Sequence, residues 1–266
     1  MIIIAQPSLN FKCYLFMNDT PLCTVITVVY NAEKLVERTL RSVQEQTLQS
    51  YEHLIIDGAS SDGTLQIAER YKRPGLEVYS ERDKGIYDAM NKGMRKARGR
   101  FVIFMNAGDE FYDAHVLERA FAGNETADFI YGQKAVVDEQ GNVLGDRRLA
   151  PPETLNWRSL QRGMCVSHQS IFVRSELVED YNLNYRISAD IDWTIRMLRK
   201  SKRIVNAHIH ISKFLEGGVS ASRRKLGLKE RFHIMREHYG LATTLFNHLV
   251  ILLRYPLHRM TRKSMT

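Results

Sequence analysis

"LCTVITVVYNAEKLVERTLRSVQEQ", residues 22–46, changes its period once, and that change decides the fold. Residues 22–29 form an apolar, β-branched run, the pattern of a buried strand. Beyond Tyr30 the spacing turns helical, with Val36, Leu40 and Val43 on one face and Asn31 as the expected N-cap. The alternation then repeats. "YEHLIIDG" reads as a second strand, "ASSDGT" as a turn-forming loop, and "TLQIAERYK" as a helix broken by Pro74-Gly75. "LEVYSE" is a third strand. "ERDKGIYDAMNKG" opens a third helix, with Ile86, Met90 and Met94 as its apolar face. "GRFVIFMNAGDE" is a fourth strand that ends in polar residues. Alternating strands and helices predict an α/β fold: a parallel sheet with helices on its faces.

The second half has a different character. "DFIYGQKAVVDEQGNVLGDRR" predicts a hairpin around Gln140-Gly141-Asn142. "SHQSIFVR" and "RIVNAHIHIS" read as strands, and "ADIDWTIRMLRKS" as a helix with two carboxylates at its start. "EGGVSAS" is a glycine-containing loop before a basic helical tail. There is no internal repeat and no low-complexity linker. The shift in composition near residue 110 marks a functional division within one domain.

The 266 residues, 44% of them hydrophobic, are enough for one large domain with an appendage. A net charge of +8 admits anionic partners without choosing among them. Cys13, Cys23 and Cys165 have no metal-type spacing and suit a reducing compartment. The first residues do not read as a signal peptide, and no apolar run reaches the roughly 18–20 residues needed to cross a bilayer. "LATTLFNHLVILLRYPLHRMTRK" comes closest. It reads either as a helix packed on the domain with a basic tail in water, or as an interfacial helix held by acidic lipid headgroups.

No P-loop, GxGxxG, HExxH or GxSxG motif is present, so the usual parts of a hydrolase or dehydrogenase are missing. Polar residues gather instead at the carboxyl ends of the predicted strands, where open α/β sheets bind ligands. These are Tyr30 and Asn31, Asp57, Asp83, and Asn106 to Asp109. Asp57 either accepts hydrogen bonds from a nucleotide base or bonds its own turn. Asp62 is a ligand residue or a helix-start acid. "MNAGDE" suits a hard divalent cation, which takes oxygen ligands. In "SADIDW" a carboxylate at a helix N-terminus is held ionised and can serve as a general base. Asp190 and Asp192 point to different faces, and capping is assigned to Asp192. His168 is read as a structural residue or a substrate contact, and Trp193 as packing or an acceptor platform.

Together "TVITVVYNAEKLVERTLRSVQEQT", "HLIIDGASSDGT", "ERDKGIYDAMNKGMRKARGRFVIFMNAGD", "SHQSIF", "SADIDWTIR" and "EGGVS" resemble the family 2 glycosyltransferases of GT-A fold. They are most similar to bacterial enzymes of colanic acid, exopolysaccharide and O-antigen assembly. The resemblance implies an inverting transfer from a UDP- or GDP-linked sugar to a saccharide, such as one carried on polyprenyl diphosphate. By that likeness Thr27, Tyr30, Asn31, Asp57, Asp83, Lys84, Asn91 and Asn106 would form the donor side. Asp109 would bind Mg2+ or Mn2+, Asp190 would be the catalytic base, and His168 and Trp193 would stand on the acceptor or phosphate side. The first acid of the family's DxD-type motif is Asn106 here, which leaves one carboxylate for the metal; Glu110 is expected to point elsewhere. The implied layout is an extension at 1–21, a GT-A domain at 22–222 with a smaller acceptor-side sheet, and a helical tail at 223–266. The enzyme would be cytoplasmic, with the tail on the inner face of the membrane. Two rivals remain. A sugar nucleotidyltransferase would need a glycine-rich basic loop where "YNAEK" stands. A non-catalytic nucleic-acid or membrane-binding module would need a basic face interleaved with stacking aromatics, and nucleic acid is not expected as a partner.

Overall fold

The computed structural model describes residues 20–138, 140–146, 149–215 and 223–251. The predicted "EGGVS" loop, Cys13 and the last residues of the basic tail lie outside them. Cys23 and Cys165 are free thiols.

Strands β1 (Cys23–Val29), β2 (Tyr51–Asp57), β3 (Leu76–Ser80) and β4 (Phe101–Phe104) pair in parallel in the order β3-β2-β1-β4. Every residue of β1 and β2 is buried, as their unbroken apolar runs require. Helices α1 (Val36–Gln44), α2 (Thr64–Arg70) and α3 (Ile86–Lys96) connect them. Two predicted details change. α1 begins five residues after Asn31, and Leu35 stands at its N-cap with no side-chain cap; Asn31 instead adopts φ +46° and holds the next loop. α3 buries Tyr87, Met90 and Asn91, while Ile86 faces solvent.

The second half adds β5 (Glu110–Phe111), α4 (Val116–Phe121), β6 (Phe129–Val137), β7 (Val143–Asp146), β8 (Ile171–Arg174), α5 (Ala189–Lys200), β9 (Ile204–Leu215) and α6 (Arg224–Tyr239). The predicted 140–142 turn lies between β6 and β7. His168–Ser170 is a 3₁₀ turn leading into β8, not the start of the strand. The second, smaller sheet that the sequence led us to expect is continuous with the first. Among the described residues one mixed sheet runs β3-β2-β1-β4-β8-β6-β9-β5, with β7 on β6. β8 pairs antiparallel with both β4 and β6, so the sheet changes direction next to β4.

Alternation along the strands builds two core layers. Ile26, Val28, Val102 and Phe104 face α3 and α5, packing with Met90 and Trp193. Val25, Phe101 and Ile103 face the other way, against Phe111, Phe121 and Phe172. Ile234 and Met235 of α6 belong to the first layer. The helix Arg224–Tyr239, which lies in the stretch expected to be a tail, therefore contributes to the core.

Candidate active site

The site lies where the direction of the sheet changes. The backbone after β4 turns sharply at Gly108, φ +97°, and is held by Thr39 of α1. The Thr39 hydroxyl donates to the Asp109 carbonyl (2.7 Å) and accepts from the Gly108 N–H (2.9 Å). Asn106 and Asp109 face the 3₁₀ turn of His168–Ser170. Gln169 donates to Asp109 Oδ2 at 3.0 Å, and Asn106 Nδ2 lies 3.2 Å from His168 Nε2. With Asn106 donating, a neutral His168 ring carries its proton on Nδ1. That nitrogen lies 3.6 Å from Asp190 Oδ2. Asp190 sits in the first turn of α5, and its Oδ1 is 3.5 Å from the Tyr87 hydroxyl. Tyr87 donates to the Ile187 carbonyl (2.8 Å), which ties α3 to the loop before α5. One turn thus joins the Asn106–Asp109 loop to Asp190.

Burial gives Asp109 its electrostatic character. Asp109 is buried, and burial pushes its carboxyl up to about 6 against the Gln169 hydrogen bond and the charges of Lys134 and His168. Glu110 turns away, as expected, and pairs with Arg38 at 2.5 Å. Among the described residues no cluster of three or more His, Cys, Asp and Glu side chains could hold a metal. The oxygen donors nevertheless fit a hard cation. Asn106 Oδ1 is buried without a hydrogen-bond partner, beside a buried carboxylate whose ionisation a cation would favour.

Other predicted donor residues separate into wall and scaffold. Tyr30 is exposed. It meets Asp83 over Gly58, where an added Cβ would collide with the Asp83 carboxylate and lie 3.3 Å from the Tyr30 ring. Asn31 accepts from the Ser61 N–H at 2.9 Å and borders an open depression of about 340 Å³ with Glu33, Lys34 and Asp62. Lys84 is exposed at the start of α3. Three residues expected against the donor are scaffold instead. Thr27 is fully buried, with its hydroxyl 2.8 Å from His53 Nε2. Asp57 is fully buried, bonded by Ser80 (2.5 Å) and the Ser60 N–H (3.0 Å). Asn91 exchanges two hydrogen bonds with the Tyr181 backbone (3.1 and 2.7 Å).

Trp193 offers no acceptor platform. It is stacked on Tyr181 in the core, and its indole N–H donates to the Glu179 carbonyl. Asp192 is no cap: it is buried between Arg196 (2.9 Å) and His238 (2.7 Å). Burial alone would raise its carboxyl, but those partners outweigh it and hold it below the ordinary value. Asp62 does organise the start of α2, accepting from the Thr64 N–H (3.0 Å) and hydroxyl (2.5 Å).

Sequence reasoning missed Gln169, Tyr87, Glu230 and Arg231. Glu230 is buried and accepts from the N–H groups of Arg186, Ile187 and Ser188 at 2.8, 2.9 and 2.9 Å, bracing the segment that presents Asp190. The Arg231 guanidinium lies over Gly163, where an added Cβ would come within 2.5 Å of it, and it feels the charge of Asp190. Only the lone acid of the basic stretch "LKERF" hinted at this bracing.

A mixed sheet that changes direction beside β4, with Asp109 and Asp190 near the change, is the arrangement of the GT-A fold. Solved structures agree. Staphylococcus aureus TarS residues 1–349, in complex with UDP-GlcNAc, match with a TM-score of 0.68 at 22% identity, over 80% of this chain and 64% of that one. The mannosyltransferase PcManGT from Pyrobaculum calidifontis, in complex with GDP-Man and Mn2+, matches with a TM-score of 0.59 at 16% identity, over 92% and 80%. Residues 24–181 match Glycosyl transferase family 2, and the chain belongs to that family; it is a glycosyltransferase. A PGL/p-HBAD biosynthesis glycosyltransferase of Mycobacterium bovis is 33% identical over 201 residues, 72% of this chain and 75% of that protein. The putative teichuronic acid biosynthesis glycosyltransferase TuaG of Bacillus subtilis is 26% identical over 239 residues, 86% and 94%.

Proposed function

We propose that the chain is an inverting transferase that moves a sugar from a UDP- or GDP-linked donor to a saccharide acceptor. The acceptor is carried on a lipid, and the product is a bacterial surface polysaccharide made on the cytoplasmic side. The observation that carries this reading is the line Asn106–His168–Asp190, which sets a helix-start carboxylate across from the oxygen-rich loop. Support for the donor class comes from the nucleotide sugars named with TarS and PcManGT, and for the setting from the glycans named with the M. bovis and B. subtilis relatives. Residues 22–222 carry the catalytic parts, completed by α6.

The acceptor hydroxyl loses its proton to the Asp190 carboxylate as its oxygen attacks the anomeric carbon. The bond from that carbon to the diphosphate oxygen breaks with its electron pair leaving on the nucleoside diphosphate, and attack from the opposite side inverts the centre. Such general-base assistance gives about 10²–10⁴ in rate. Tyr87 fixes the segment before Asp190 through the Ile187 carbonyl, and His168 lies beside the carboxylate. Asp109 and Asn106 Oδ1 would hold Mg2+ or Mn2+; when bound, the cation supplies positive charge to the leaving diphosphate. Asp83, Lys84, Tyr30 and Asn31 bound the nucleotide.

The test is Asp190→Asn. Turnover of a donor panel should fall by about 10³ or more, while UDP or GDP still raises the melting temperature as in the wild type. A folded variant that loses nucleotide binding, or keeps turnover, overturns the assignment of the base.

A further inference from the structure

The helix at 241–251 is inside out. Leu241, Leu245, Phe246 and Leu249 are 52–61% exposed. At 100° per residue they occupy one arc with Ala242. The opposite side buries Thr244 and Asn247, which are 2% and 4% exposed. That polar side is fastened to the body: Arg162 donates to Asn247 Oδ1 at 3.4 Å, and Phe232 of α6 meets the His248 ring edge-on at 5.3 Å. A helix that only covered the core would turn its leucines inward and its threonine and asparagine to water. Here the fold spends its polar residues on attachment and presents apolar ones outward.

The charges beyond the helix choose the occupant. From Gly240 to Thr266 the chain has no Asp or Glu, but it carries Arg254, Arg259, Arg262 and Lys263. A symmetric contact between two copies would bring these like-charged segments together, whereas an anionic bilayer neutralises them. Apolar side chains entering the headgroup layer beside cations that meet acidic lipid is the two-signal arrangement that membrane attachment needs. No helix among the described residues is long and apolar enough to cross a membrane.

We infer that the 241–251 helix docks on an anionic lipid surface through Leu241, Leu245, Phe246 and Leu249, with the basic segment after it as the second contact. This goes beyond the transferase reading and does not depend on it.

The experiment uses the full chain with two kinds of vesicle, phosphatidylcholine alone and phosphatidylcholine mixed with phosphatidylglycerol. The wild type should co-sediment with the mixed vesicles and remain in solution with the neutral ones, and added salt should weaken binding. Leu245→Gln, Phe246→Gln and Leu249→Gln together should cut binding about tenfold or more. These side chains face solvent, so melting temperature and its shift with UDP or GDP should match the wild type and report separately on the active site. Equal sedimentation of the triple variant overturns the inference. So does a wild type that ignores mixed vesicles and elutes as a dimer that the triple variant splits; a second copy would then cover the face.

Discussion

In the proposed function Asp109 would serve the site at the expense of the fold. Burial pushes its carboxyl up to about 6 against the Gln169 hydrogen bond and the charges of Lys134 and His168. Asn106 beside it keeps an orphaned acceptor oxygen. Asp109→Asn keeps the shape and can still bond Gln169, while removing the buried charge. In chelator-treated protein at neutral pH its melting temperature should equal or exceed that of the wild type, the usual trade between stability and a working site. The extra nucleotide-induced stabilisation seen on adding Mn2+ should disappear. A variant that retains the metal-dependent shift would remove Asp109 from the metal site. Sequence made this residue visible because an acid just beyond an apolar strand and a tight turn has few structural uses. It could not separate Asp83, on the wall, from Asp57, inside the scaffold. Both stand near strand ends; only the partners differ, with Ser60 and Ser80 enclosing Asp57.

At the scale of elements, the strands and helices of the first half were legible because each hydrophobic run has one period and one burial pattern. The joining of α6 to α5 was not. It rests on pairs 42 to 46 residues apart in sequence: Glu230 with the 186–188 backbone, and His238 with Asp192. In sequence the same helix looks like a basic, solvated tail. Asn91 misled for the same reason, since a polar atom on a core side chain looks like a ligand group until its backbone partner is known. Glu230→Gln tests the joint. It weakens a charge-assisted cluster on three N–H groups and should cost about 2 kcal/mol, or roughly 4–8 °C in melting temperature for a domain of this size. Because the braced segment presents Asp190, kcat should fall several-fold while nucleotide affinity stays level. A loss of stability with unchanged kcat would make the brace structural alone.

Across the whole molecule, the sheet that positions the site also sets its response to acid. His53 is buried at the centre of β2, and its ring nitrogen meets Thr27 of β1. Burial, and then the charge of Arg73, push it from 6.5 down to about 3. Between those values the unfolded chain binds a proton that the native sheet refuses. Stability from this residue is therefore complete above about pH 6.5 and declines as the pH falls toward 3. At about pH 5 the difference amounts to about 2 kcal/mol. Asp109, raised rather than lowered, slopes the other way over part of the same range, so the wild-type profile alone would hide the effect. His53→Gln removes the titration and retains a side chain able to reach Thr27. Urea unfolding of both proteins, free of metal, at neutral pH and at about pH 5 isolates the term: the fall on acidification should be smaller in the variant by about 2 kcal/mol. Parallel profiles would mean that the native sheet accepts the proton. The pairing of β1 with β2, which carries Tyr30 and Asp57 at its far end, would then be looser than its burial implies.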